Sequence, residues 1–429
     1  MNIYQNPDRT TWPALVQRPQ LELEFLDSSV RNILGRVKKS GDAALREFSQ
    51  QFDHVSLDNL LITEPEVNEA SALLTPALKD AISQAAKNIE LFHAAQQRPL
   101  LQVDTMPGVR CWRKGVAIES VGIYIPGGSA PLFSTVLMLG VPAQLAGCRE
   151  VVLCTPPQRD GKINPAILFA AQLTGITKIV KAGGAQAIAA MAFGTESVPR
   201  VSKIFGPGNQ YVTKAKQLVG EEGVAIDMPA GPSEVLVLAD ETANAAFVAA
   251  DLLAQAEHGP DSQVMLVTTD ATLVRNTLAE IDRQVEHLPR KDIARTALAN
   301  SAAITFSSLQ QAVAFTNAYA PEHLIINTKN DEAVADQIIN AGSVFLGAYT
   351  PEAAGDYASG TNHTLPTSGY ARATGGVSLE SFMRYITYQK ISPAGLRLLG
   401  PIVETMAAAE MLQAHKNAVS IRLKDLVWR

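Results

Sequence analysis

The chain has 429 residues, with 36 Lys plus Arg against 42 Asp plus Glu and a net charge of −6. That balance excludes a broad electrostatic footprint for nucleic acid, although a small anion needs only a few local donors. Hydrophobic residues make up 47% and charged residues 18%, which supplies a large core and argues against disorder.

Residues 1–20 carry three prolines and Trp12 without clean periodicity and read as an arm. From Ser28 to about Ala95 the pattern is helical. Val30, Ile33, Leu34 and Val37 fall at i, i+3, i+4 and i+7. Ser40-Gly41 stops that run, and Ala43, Leu45, Phe48 and Phe52 resume it. Residues 64–96 form a further helical stretch, broken near Thr75-Pro76.

Near Val116 the texture changes. VAIESVGIYIP, EVVLCTP, TKIVKAGG, SKIFGPG, EVLVLADE and QVMLVTTD read as strands, each followed by a helical run. Strands alternating with helices predict βαβ units, and apolar strands without alternation predict parallel sheets buried on both faces. The fold class is therefore α/β. The first four units form one block, residues 124–232, and PAGPSEV begins the return to a second sheet. Residues 346–376, rich in Gly, Ser, Thr and Asn, form a long irregular stretch of the kind that is more often functional than filler. A helical segment, Pro401 to Asn417, ends in a strand-like VSIRL.

The sequence shows no apolar run approaching the ~18 residues that span a bilayer. MNIYQNPDRTTWP has no basic and apolar signal pattern. Three cysteines, Cys111, Cys148 and Cys154, are too few and odd in number for a disulfide framework. The expectation is a cytoplasmic protein with no membrane and no nucleic-acid partner.

Three junctions, IPGGSAP, AGGAQAI and FGPGNQY, place glycines between a strand and a helix. Glycine lets backbone approach a ligand, and a helix N-terminus attracts phosphate. The dinucleotide fingerprint is absent, since Tyr211 stands where its last glycine would be. Each junction alone reads first as a tight βα turn; three at the same end of neighbouring strands strengthen the case that one holds a nucleotide.

The seven histidines are His54, His93, His258, His287, His323, His363 and His415. His54, His93 and His287 lie among polar, surface-like residues and read as structural. His258 closes a helix before Gly259-Pro260, and Gln255 lies one turn earlier on the same face, so both could point at one ion. By spacing alone, His258 reads first as a cation at a helix C-terminus, since Gln is an uncommon metal ligand. Asp356 in the polar stretch reads first as a turn or capping residue. Glu410 and His415 lie about 140° apart on an ideal helix, so spacing does not bring them to one site. Glu322 and His323, an acid and an imidazole at a strand mouth, could serve as base and water activator, but an extended chain would splay them to opposite sides.

Together, IPGGSAPLFSTVLML, GGAQAIAA, FGPGN, DMPAGPSEVLV, DLLAQAEHGPDSQ, PEHLII, GSVFLG, AGDYASGTNH and AHKNAV resemble the histidinol dehydrogenase family over about residues 25–420. The resemblance implies a zinc-dependent enzyme of histidine biosynthesis that oxidises L-histidinol to L-histidine through the aldehyde, using two NAD⁺. It implies one zinc per subunit, held by Gln255, His258, Asp356 and His415. His323 would be the base and Glu322 the activator of water. Ser233 and Glu410, with the zinc ligands and His323, would contact substrate. Tyr124, Gln186 and Asn209, one at each glycine junction, would contact NAD. A homodimer with exchanged C-terminal tails would place Glu410 and His415 in the partner's site. The implied fold is two parallel-sheet, Rossmann-like domains, one inserted in the other. The main domain comprises 21–123 and 233–377, the NAD-type insert 124–232 and the dimerisation tail 378–429.

Three other readings compete. A cysteine-dependent aldehyde dehydrogenase needs a reactive thiol, yet Cys154 lies in an apolar strand, Cys148 just precedes it, and Cys111, beside Arg113, precedes the block. A relative acting on another amino or sulfonated alcohol would lack reason to keep both His415 and Glu410. A two-lobed binding protein would need neither a base nor a metal.

Overall fold

The computed structural model describes residues 1–19, 23–127, 131–228 and 231–427. Gly128 and Ser129 of the first glycine junction, and Pro229 and Ala230 of the return segment, lie outside the described residues. Two units emerge: Met1–Gln96 with Ile118–Phe382, and Gln97–Ala117 with Met383–Arg429.

In chain order the strands are β1 (Asn2–Gln5), β2 (Leu101–Met106), β3 (Val109–Ala117), β4 (Ser120–Tyr124), β5 (Glu150–Thr155), β6 (Lys178–Lys181) and β7 (Lys203–Phe205). There follow β8 (Ala225–Ile226), β9 (Glu234–Ala239), β10 (Gln263–Thr268), β11 (Ala302–Thr305), β12 (His323–Asn327), β13 (Ser343–Leu346) and β14 (Met383–Ile391). The first unit holds two all-parallel sheets, ordered β6-β5-β4-β7-β8 and β1-β11-β10-β9-β12-β13. The five-stranded sheet lies, in sequence, between β1 and β9 of the other, as the α/β insertion predicts. Every residue of β9, β10 and β12 is buried, which explains their unbroken apolar runs.

Four local readings change. The supposed arm contributes β1, paired in parallel with β11 from Asn2↔Ala302 onward, and buries Trp12 edge-on against Phe306 and Phe315. VAIESVGIYIP is two strands of different sheets, split between Ala117 and Ser120. VSIRL is helical, inside Gln413–Val427; strong helix formers flank its two β-branched residues, and the Ser420 hydroxyl donates back to Lys416 O at 3.1 Å. His93 is structural but fully buried, on the Ile82–Ala85–Ile89 face of its helix, with Nδ1 2.8 Å from Ile89 O.

The helices at 23–48 and 64–94 pack on the five-stranded sheet. Val30, Leu34, Leu45 and Phe48 share a core with Tyr124, Val152 and Cys154, while Ile82 and Ile89 share another with Ile123 and Leu153. Gly41, at φ 51°, ψ −132°, kinks the first helix where Ser40-Gly41 predicts a stop.

The second unit is an antiparallel sheet ordered β14-β3-β2, with helices Pro393–Ala409 and Gln413–Val427. Trp112 stacks on Tyr388 at 5.2 Å.

Candidate functional site

The carboxyl ends of β4 to β7 surround a cavity of ≈ 620 Å³. Strand order reverses beside β4, the switch point where open parallel sheets bind ligands. Tyr124, Gln186 and Asn209 all line this cavity. The Tyr124 hydroxyl accepts from Gly184 N–H at 3.0 Å, and Asn209 caps its helix by accepting from Val212 N–H at 3.1 Å. Gly206 has φ 122°, and a Cβ there would lie 2.1 Å from the Tyr124 carbonyl oxygen, so this turn admits only glycine. Beneath it, buried Lys216 donates to Gly206 O at 2.8 Å and pairs with buried Asp227, which accepts from Gly206 N–H at 2.8 Å. Asp53 also lines the cavity, and burial pushes its carboxyl up to about 6.

The second cluster forms at the mouth of β9 and β12. Helix Leu309–Tyr319 ends in a left-handed Ala320 (φ 53°), followed by Pro321 and Glu322, before β12 begins at His323. This turn lets two neighbours that would splay in an extended chain meet the same residue. Glu322 Oε2 accepts from Glu234 N–H at 2.8 Å, and His323 Nδ1 lies 3.1 Å from Glu234 O. Glu352 and Asp356 come from helix Glu352–Tyr357, one turn apart on one face. Glu352 Oε1 lies 3.6 Å from His323 Nδ1, and Asp356 Oδ1 lies 3.5 Å from His323 Nε2. Gln255, buried on helix Ala245–Ala256, turns its amide nitrogen to Glu352 and its oxygen to Glu234 N–H at 3.1 Å.

His258 lies just past that helix; the residue is exposed, and desolvation lowers its pKa, partly opposed by Asp356. His363 Nδ1 meets Asp356 O at 2.8 Å, and its Nε2 meets Thr135 Oγ1 at 3.0 Å. Thr135 lies in the first turn of helix Phe133–Ala146, which follows Pro131 of the cavity wall, so one helix start touches both regions.

Burial raises the carboxyls of Glu322 and Glu352 above the usual range. At His323, desolvation acts downward, but the charges of Glu352 and Glu322 outweigh it and raise the imidazole well above its ordinary value. At Asp356, desolvation acts upward, and the close approach and charge of His323 overcome it, leaving the carboxyl lowered.

The cluster suits a cation. Donor atoms of His323, Glu352 and Asp356 lie within 4.8 Å of one another. His323 Nε2 and Glu352 Oε2 are buried without a hydrogen-bond partner. Three carboxylates crowd one imidazole, and imidazole, carboxylate and amide donors without thiolate match a borderline ion such as Zn²⁺.

Gln255, His258 and Asp356 thus belong to one neighbourhood with Glu322 and His323. Ser233 is half-buried immediately before β9. Glu410 and His415 belong to the second unit, where both are exposed. Sequence reasoning missed Glu352 and His363. The Glu-x-x-x-Asp spacing of 352 and 356 was the available signal for Glu352. For His363 it was membership of the polar stretch. No cysteine joins the cluster; burial pushes Cys154 up to about 12 and Cys148 up to about 11.

Residues 16–423 match the family described as Histidinol dehydrogenase. The chain is 60% identical to histidinol dehydrogenase of Bacteroides fragilis (strain ATCC 25285) over 426 residues, 99% of this chain and 100% of the relative. It is 54% identical to that of Salmonella typhimurium, covering 96% and 95%. The crystal structure of histidinol dehydrogenase from Elizabethkingia anophelis superposes with a TM-score of 0.97 at 55% identity, covering 99% of this chain and 98% of that one. With the cavity and the acid–imidazole cluster in place, these matches establish that the chain belongs to the histidinol dehydrogenase family.

Proposed function

We propose that this chain catalyses the last steps of histidine biosynthesis, the zinc-dependent, NAD-linked four-electron oxidation of L-histidinol to L-histidine through the aldehyde. Family membership supports the substrate. The observation that carries the chemistry is the convergence of Glu322 and His323 on Glu234, with the second nitrogen of His323 left unpartnered among carboxylates.

Gln255, His258 and Asp356 would hold the zinc, with His415 supplied by a partner subunit. When bound, the metal supplies a positive template for the amine and imidazole nitrogens of the substrate. His323 Nε2 takes the alcohol proton while hydride leaves the carbinol carbon for NAD⁺. Glu322 then takes a proton from the water that adds to the aldehyde carbon, while His323 returns its proton to the carbonyl oxygen and is free to act again. His323 removes the hydroxyl proton of the resulting hydrate as a second hydride leaves for a second NAD⁺. The two oxidations release two NADH, and the product is the carboxylate. Ser233 and Glu410 contact substrate. Tyr124, Gln186 and Asn209 contact NAD along the ≈ 620 Å³ cavity.

We further propose that the insert 124–232 and an exchanged tail, 378–429, are working parts of a cytoplasmic homodimer. None of the described helices is long and apolar enough to cross a membrane.

The test is NADH formation from histidinol, with and without a chelator, followed by zinc add-back. Activity lost to the chelator and restored by zinc is expected. No NADH from histidinol, or chelator-resistant turnover, overturns the proposal.

A further inference from the structure

We propose that Arg18 is a positioning residue for Glu322 and His323, acting through its buried ion pair with Glu234. Glu234 is the hub. Its N–H faces both Glu322 (2.8 Å) and the Gln255 amide oxygen (3.1 Å), and its carbonyl faces His323 (3.1 Å). Whatever fixes Glu234 therefore fixes the water activator, the base and a metal ligand together.

The Glu234 carboxylate holds its peptide in place from the other end. Arg18 grips it with a two-pronged fork, Nε at 3.0 Å and Nη2 at 2.8 Å, and the side chains are 8% and 1% exposed. The remaining guanidinium donors reach Val16 O and Tyr319 O, each at 2.8 Å, and the group lies 3.7 Å from the Tyr319 ring centre. Tyr319 ends the helix whose left-handed cap delivers Glu322 and His323. Ser368 N–H adds a bond to the same carboxylate at 2.6 Å, anchoring the polar stretch that carries Asp356 and His363. A buried ion pair is a poor device for stability alone, because apolar side chains of similar volume hold a strand as well. A planar fork gives direction that an apolar contact lacks. Here it grips the side chain of the same residue whose N–H and carbonyl partner the acid and the base.

This inference rests on the assignment of His323 and Glu322 as base and water activator. The experiment compares Arg18→Ala, Arg18→Lys, Glu234→Gln and His323→Ala in the full chain, reading kcat, KM for histidinol, bound zinc and thermal midpoint. Arg18→Ala should lose about 10–100-fold in kcat, with KM within about threefold and zinc retained. Guanidinium chloride at tens of millimolar should restore part of that loss and none of the His323→Ala loss. Arg18→Lys should regain thermal stability but not kcat, because an ammonium cannot form the fork. If Arg18→Ala does not fold, Glu234→Gln, which keeps the Ser368 acceptor, should show the same loss of kcat. Folded Arg18→Ala with kcat within twofold of wild type overturns the inference. So does full recovery of kcat in Arg18→Lys without guanidinium rescue of Arg18→Ala. Retained turnover in His323→Ala overturns the catalytic assignment instead, whatever Arg18 does.

Discussion

His323 Nδ1 sits 3.1 Å from the main-chain oxygen of Glu234. A carbonyl only accepts, so Nδ1 keeps its proton when the ring is neutral, and it is Nε2 that gives up or takes the second proton. Nε2 faces Asp356 Oδ1 at 3.5 Å. His323→Ala should therefore lower kcat by about 10²–10⁴-fold with little change in KM. Steady-state kinetics with histidinol checks this; a change confined to KM contradicts the base assignment.

Glu322 is tied to Glu234 N–H rather than to the face of Asp356, so the two oxidations should separate. In Glu322→Gln the first hydride transfer should persist and hydration of the aldehyde should slow by about 10²-fold. Rapid-quench analysis should find aldehyde building up after one NADH per site. Equal slowing of both steps would argue against a separate water activator.

His258→Ala and Asp356→Ala should each deplete bound zinc after dialysis. Full occupancy in either variant removes that residue from the ligand set. Because no thiolate is involved, Mn²⁺ or Co²⁺ should restore part of the activity of the chelated enzyme. Metal analysis and add-back assays read both points.

The thiols should be dispensable. Cys154 is buried in β5, and Cys111 belongs to the second unit. Cys111→Ser, Cys148→Ala and Cys154→Ala should keep turnover within a few-fold when folded. A loss near 10³-fold in any of them would revive a covalent thiol route.

Asp53 gives a pH signature. Burial raises its carboxyl from 3.8 to about 6 in the folded chain. An acid raised on folding binds more protons in the native state, so its penalty is absent near pH 4, grows through the window between these values and is complete above about pH 6. Asp53→Asn should stabilise the apoenzyme by about 1 kcal/mol at pH 8, a figure reduced for the solvent the side chain still meets, and by nothing at pH 4. Thermal midpoints at the two pH values test the sign.

The parallel sheets were legible because buried runs such as EVLVLA and QVMLVT alternate with Ala-rich helices and glycine turns. The β14-β3-β2 sheet was not, since Met383 pairs with Ala117 across a long stretch of chain and local periodicity carries no record of a distant partner. The same limit hid β1. The site residues at glycine junctions and helix ends stood out through the family resemblance; residue spacing alone left His258 and Asp356 ambiguous. Glu322 and His323 needed the left-handed Ala320, a backbone state that an alanine does not advertise. Packing of the 23–94 helices on the five-stranded sheet depends on which faces meet, and helical periodicity shows only that an apolar face exists.

The pairing of β1 with β11 has a temporal consequence. Asn2 meets Ala302, so this edge strand must wait for about 300 further residues before its partner exists. The five-stranded sheet, by contrast, closes within 120–226. During synthesis β1 waits for β11, and β12 and β13 extend the same sheet only afterwards. Loop closure over that span is entropically slow and leaves β11 with an unpaired edge until it happens. Refolding should then show a late phase, in which the Asn2–Gln5 strand docks after both parallel cores have formed.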